Sequence, residues 1–192
     1  MAKAKASELV LNEDGSVYHL HLLPEQLAPT VILVGDPGRV ERVSRHFDKV
    51  DHRIHKREFI THTGMLGNLP LSVISTGIGP DNIDVVVNEL DQIANWDLDK
   101  RMPRQQLRPL RLIRIGTTGT VQPDLPPGTF VASAAGVGLD NLLHYYPALP
   151  ASELDMLPKA LFDHLQQMGF ELPGLPYAAP CSEALLQSLG AD

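Results

Sequence analysis

Arg114 interrupts an apolar run, Leu112-Ile113-Arg114-Ile115, that leads into Gly116-Thr117-Thr118-Gly119. Such a run reads as a buried strand ending in a glycine- and threonine-rich turn. Drawing a guanidinium out of water is costly unless an anion compensates it, so this residue asks for an anion at the strand end. Val31-Ile32-Leu33-Val34-Gly35-Asp36-Pro37-Gly38-Arg39 repeats the arrangement. There the Gly35–Arg39 loop can present backbone N–H groups to an oxyanion where a strand becomes a helix, whose N-terminus adds a favourable partial charge. Two strand-to-loop junctions, each with glycine and arginine, suit a compact oxyanion such as phosphate. Thr117 and Thr118 add hydroxyl donors. Taken singly, these features have plainer roles: Gly-Asp-Pro-Gly is ordinary turn chemistry, Arg39 can be a solvated first-turn residue, and the threonines can cap a turn.

Other patterns carry less. Ser75-Thr76-Gly77-Ile78-Gly79-Pro80-Asp81-Asn82 places small residues between a strand and a helix, which suits either ligand approach or a tight connection. Gly136-x-Gly138 lacks the third glycine of a dinucleotide loop, and no Gly-x-x-x-x-Gly-Lys or Gly-x-Ser-x-Gly motif occurs. His19 and His21 would share a strand face and could hold a metal, but no further histidine or cysteine clusters with them. The basic residues of 100–111 read as a solvated loop.

These candidates must be held by a framework of 192 residues, expected to form one domain over 1–192. Hydrophobic residues make up 43% and charged residues 20%, as in ordinary globular proteins. An aromatic content of 5% and a net charge of −7 argue against a nucleic-acid partner. Neither excludes a small anion held by a few focused arginines. One cysteine, Cys181, excludes an intrachain disulfide. The basic N-terminus lacks the apolar stretch of a signal peptide, and no apolar run approaches the ~20 residues that span a bilayer. A cytoplasmic protein with no membrane partner is the expectation.

Residues 1–16 read as a mobile arm. A strand near 31–34 leads to a helix near 38–47, and strands near 57–63 and 69–75 flank a hairpin turn at Met65-Leu66-Gly67-Asn68. A helix follows with Ile83, Val86, Val87, Leu90, Ile93 and Ala94 on one face. Residues 97–109 read as a loop. Strands are expected near 110–115 and 129–135, around a proline-rich turn at Asp124–Gly128. A helix from Ser152 to Met168 is signalled by Ser152 with Asp155 and by Gly169 beyond its end, with Pro158 delaying or kinking it. A short helix, Ser182–Leu189, closes the chain. The alternation predicts an α/β fold with a mixed central sheet flanked by helices.

Val17-Tyr18-His19-Leu20, Gly35-Asp36-Pro37-Gly38-Arg39-Val40-Glu41, Arg57-Glu58-Phe59, Ser75-Thr76-Gly77-Ile78-Gly79 and Arg114-Ile115-Gly116-Thr117-Thr118-Gly119 together resemble the nucleoside phosphorylase family, uridine phosphorylase-like members in particular. The likeness runs in family order across nearly the whole chain. It implies an α/β/α sandwich and a phosphorolysis, in which inorganic phosphate attacks C1′ of a nucleoside and releases free base and ribose 1-phosphate. It implies phosphate held by Gly35, Arg39, Arg114 and Thr117, with Arg39 and Arg114 supporting catalysis. It further implies that Arg57 and His19 arrive from a neighbouring subunit, Arg57 at the phosphate and His19 at the ribose 5′-hydroxyl. A homodimer is then the minimal unit, often assembled into hexamers. No cofactor is implied, phosphate being a co-substrate. Some members hold a potassium ion at positions matching Glu58, Ile78 and Asn82, where asparagine stands in place of the usual serine.

Two departures stand out. Pro80-Asp81-Asn82 follows Gly79 where the family continues with another glycine. The family also runs on by roughly a third more chain. That further part carries a Phe-x-x-x-Gln-x-Arg segment that reads the pyrimidine and a Met-Glu pair on the ribose hydroxyls. The expectation is therefore a uridine-type nucleoside phosphorylase, a pentosyltransferase of nucleoside metabolism and pyrimidine salvage, represented by its N-terminal two-thirds. The alternatives are a truncated non-catalytic phosphate-binding or oligomerisation module, and a nucleoside hydrolase of the same fold. Three candidate phosphate arginines count against the hydrolase.

Overall fold

The computed structural model describes residues 3–146, 154 and 156–190. The chain divides into two compact units, residues 1–118 and 119–192. In the first, Thr30–Val34 (β1) leads into Gly38–Ser44 (α1), and Lys49–Lys56 (β2) and Phe59–Leu66 (β3) form a hairpin. Leu69–Ser75 (β4) follows the two-residue turn Gly67-Asn68, and Pro80–Asn95 (α2) comes next. Trp96–Asp97 (β5) and Met102–Pro103 (β6) pair with each other before Arg111–Ile115 (β7). The main sheet has the order β2-β3-β4-β1-β7. β1 is parallel to both β4 and β7, whereas β3 is antiparallel to β2 and β4. This is the mixed sheet flanked by helices that the sequence predicts.

Successive side chains of β1 point to opposite faces and so serve two cores. Val31 and Leu33 pack with Ile74 and with Val86, Leu90 and Ile93 of α2. Val34 packs with Val40 of α1 and Val73, with Ile32, Val43 and Phe47 against them. Val86, Leu90, Ile93 and Ala94 of the apolar stripe of α2 are buried as expected, Ile83 is half-buried, and Val87 is 41% exposed. Pro80 starts that helix at a position where a missing N–H costs nothing. The register aligns Val34 with both Ser75 and Ile115, so three parallel strands end level. Their outgoing loops therefore emerge side by side, the usual place for a ligand in such sheets.

Several expectations are corrected. Of the predicted mobile arm over 1–16, residues 4–16 are tied to the fold: Leu9 is buried in the core, Leu11 bridges Val17, and the Ala4 N–H donates to the Arg101 carbonyl at 2.9 Å. Within the first unit β7 is not a buried strand: among the described residues it stands at the sheet edge, paired on one side with β1, and Arg114 is exposed. His19 and His21 lie in a turn and not on a strand face, and His21 has a φ of 56°. β2 escapes notice because its inner face mixes Val50 and Ile54 with His52 and Lys56, which blurs the alternation, and the 97–109 segment holds β6 and the end of β5.

In the second unit Ala135–Gly138 (β8) pairs antiparallel with Tyr177–Pro180 (β9), accompanied by Met156–Gln167 (α3) and Glu183–Ser188 (α4). The strand predicted at 129–135 begins only at Ala135, where β9 supplies a ladder; Phe130 and Val131 are exposed. Ser152 and Asp155, the predicted cap of α3, lie outside the described residues. Pro158 falls in the first turn of α3, where its missing N–H removes no helical bond. Gly169, at φ 86°, ends the helix, and the Phe170 N–H reaches back to the Leu165 carbonyl at 3.0 Å. Among the described residues no helix is long and apolar enough to cross a membrane.

Candidate phosphate-binding cleft

The loops that leave β1, β4 and β7 enclose an open cleft of about 560 Å³. β1 contributes Gly35, Asp36, Pro37 and Arg39; β7 and its turn contribute Arg114, Gly116 and Thr117. Gly77, Ile78 and Asn82 come from the β4–α2 connection, and Glu58 from the turn before β3. Four of the predicted phosphate residues, Gly35, Arg39, Arg114 and Thr117, thus meet in one place although 82 positions separate the first from the last in sequence. A Cβ at Gly35 would lie 3.8 Å from Arg114 Nη2, which puts the Arg114 guanidinium against the β1 loop. Neither Arg39 nor Arg114 has an ion-pair partner among the described residues. Asp36 and Glu58 also line the cleft, but neither is paired with these arginines, and two guanidinium groups left without an ion pair favour an anion carrying more than one oxygen, which each can hold through paired N–H groups.

The backbone of the β1 loop is less available than the sequence suggested. Asp36 Oδ1 accepts the Gly38 N–H at 2.9 Å and the Asp36 carbonyl accepts the Arg39 N–H at 3.0 Å. The side chains of Arg39, Arg114 and Thr117 are then the main donors left to face the cleft. α1, which carries Arg39, is tied to β3 by a hydrogen bond of 2.7 Å between the buried Ser44 hydroxyl and His62 Nδ1. Burial, reinforced by the Arg53 guanidinium, holds the His62 pKa below the ordinary value of 6.5 and so favours the neutral ring.

Arg57 and His19 fall outside this cleft. Arg57 is exposed in the turn between β2 and β3 with φ 56°, its carbonyl bonded to His55 Nε2 at 2.8 Å. His19 is anchored elsewhere: its backbone N–H and that of Leu20 donate to the Glu89 carboxylate at 2.8 and 2.7 Å, and His19 Nδ1 lies 2.7 Å from Glu89 Oε1. Glu89, buried on α2, escaped the sequence reading. An acid inside the apolar stripe Val86, Leu90, Ile93 was the available signal. His21 Nε2 pairs with Asp14 Oδ2 at 3.0 Å, and among the described residues no three His, Cys, Asp or Glu side chains cluster as a metal site.

Glu58, Ile78 and Asn82 do come together, but not as a set of oxygen ligands. The Asn82 side-chain amide nitrogen lies 3.1 Å from Glu58 Oε1 and 3.3 Å from the Ile78 carbonyl oxygen. A donor group thus stands between the two oxygens, and the arrangement does not fit a potassium ion.

The sequence pattern of the phosphorylase superfamily matches residues 29–187. The chain belongs to the phosphorylase superfamily. Among superfamily relatives, it is 30% identical over 172 residues to the uridine phosphorylase of Thermococcus kodakarensis, covering 87% of this chain and 56% of that one. It is 36% identical over 134 residues to the Escherichia coli uridine phosphorylase, covering 68% of this chain and 47% of that one. The crystal structure of a Trypanosoma brucei nucleoside phosphorylase with uridine phosphorylase activity superposes with a TM-score of 0.82 at 28% identity, covering 95% of this chain and 61% of that one. The chain thus spans about half the length of the curated relatives it matches.

Proposed function

We propose that this chain holds the phosphate of a uridine-type nucleoside phosphorylase, a pentosyltransferase whose co-substrate is inorganic phosphate and which needs no cofactor. The observation that carries this reading is the convergence of Arg39 and Arg114, without ion-pair partners among the described residues, on a cleft shared with Gly35 and Thr117. The uridine preference rests on the relatives.

In the proposed reaction a phosphate oxygen forms a bond to C1′ of the nucleoside while the C1′–N bond breaks and its electron pair leaves with the base. Positive charge develops on the sugar and is stabilised by the phosphate already held beside it, a case of proximity joined to fixed electrostatics. Arg39 and Arg114 offset the phosphate charge, and the Thr117 hydroxyl donates to one of its oxygens. Arg57 and His19 serve the cleft of a neighbouring subunit, Arg57 at the phosphate and His19 at the ribose 5′-hydroxyl. The homodimer is the minimal unit, with a hexamer as its further assembly, in the cytoplasm.

Base release from a panel of nucleosides, measured with and without phosphate, tests the reaction. Release that needs phosphate and is greatest with uridine is expected; release independent of phosphate would make the protein a hydrolase. The cleft is tested separately by phosphate-induced thermal stabilisation. Arg114→Ala removes a charged hydrogen-bond donor and should weaken phosphate binding on the order of 10- to 100-fold. An unchanged stabilisation would remove Arg114 from the site, and a folded protein that binds phosphate but releases no base would be the non-catalytic module.

A further inference from the structure

The geometry points to Asn82 as a built-in substitute for a monovalent cation at the edge of the cleft. Three segments meet there: the turn before β3 through Glu58, the loop after β4 through Ile78, and the first turn of α2 through Asn82. An ionised carboxylate and a carbonyl can only accept hydrogen bonds, so the side-chain amide must turn its nitrogen toward both. Its two N–H groups are then used, one on Glu58 Oε1 at 3.1 Å and one on the Ile78 carbonyl at 3.3 Å.

The backbone is shaped around this amide. Gly77 has φ +69°, and a Cβ there would lie 2.5 Å from Asn82 Nδ2 and 3.0 Å from Glu58 Cγ. A side chain at position 77 would displace the amide from its seat. The placement also has an electrostatic use. Glu58 lines the same cleft as Arg39 and Arg114, and an unoccupied carboxylate would compete with an incoming anion for those arginines. The amide holds the carboxylate with the positive end of a dipole, as a cation would with a full charge, but it is covalently attached and needs no ion from solution. The inference concerns the cation alone and does not depend on the phosphorolysis proposed above.

The test compares thermal midpoints in potassium chloride and choline chloride at equal ionic strength, without phosphate, for the parent protein and for Asn82→Ser, Asn82→Asp and Asn82→Ala. The parent should melt at the same temperature in both salts. Asn82→Ser and Asn82→Asp exchange the donor for oxygen ligands, so each should lose several degrees in choline and recover part of that loss in potassium. Asn82→Ala should lose stability and recover nothing, which separates ion binding from the loss of a hydrogen bond. A saturable potassium-specific stabilisation of the parent overturns the proposal. So does recovery by none of the variants that fold, since the amide would then not stand where an ion can.

Discussion

Gly77 meets two demands that no other residue type meets together: a left-handed backbone and an empty Cβ position over the Asn82 amide. Strain of this kind costs about 1–3 kcal/mol for a non-glycine residue. Gly67 has a comparable φ of +58° but nothing within 4 Å of its Cβ position. Urea denaturation should therefore show Gly77→Ala losing more stability than Gly67→Ala, by about 1 kcal/mol or more, because overpacking adds to strain. Equal losses would mean that the amide moves aside freely. At this scale much of the site is legible in the sequence, since Gly35, Arg39, Arg114 and Thr117 announce themselves by type at strand ends. What is not legible is pairing at a distance. The contact of Asn82 with Glu58 spans 24 positions and that of Glu89 with His19 spans 70, and no local pattern encodes either.

Among the elements, α1 positions Arg39 and is itself held through the Ser44–His62 hydrogen bond. Because folding lowers the His62 pKa, chiefly by burial and then by Arg53, the unfolded chain takes up this proton more readily than the native one. The stability contributed by neutral His62 is present above pH 6.5 and is lost as pH falls from there through the lowered native value. Denaturation midpoints measured from pH 7.5 downward should fall with acid in the parent and fall less in His62→Gln; identical slopes would show that His62 does not couple to folding. Periodicity reveals α2 and the β3–β4 hairpin because each has one apolar face. It finds β7 but misreads its burial, since the apolar run marks an edge strand and not a buried one: Leu112 is 39% and Ile115 47% exposed. An apolar run states what a strand can bury, not which neighbour arrives to cover it. β9 is hidden for a different reason: Pro176 just before it and Pro180 at its end read as breaks.

For the whole molecule, the placement of Arg57 and His19 outside their own cleft is the property that a shared site requires. In the proposed homodimer Arg57→Ala and Arg114→Ala should each be inactive alone, and mixing them should restore about a quarter of the parent activity, because each mixed dimer would pair one intact set of arginines across its two-fold axis. No recovery in verified mixed dimers would confine the site to a single subunit. The N-terminal residues read as a mobile arm and not as part of the core, since their one apolar run, Leu9-Val10-Leu11, is too short to show a period. The sheet register carries a last consequence, for the order of events in folding. β1 joins β4 by pairing Val31 with Ser72, but joins β7 by pairing Thr30 with Arg111, across a far longer stretch of chain. Contacts across longer loops form at greater entropic cost and tend to come later. The strand that brings Arg114 to Arg39 is then the last to close, so a bound anion has nothing to grip while the sheet assembles. Its influence falls on the lifetime of the finished fold, slowing unfolding without hastening folding.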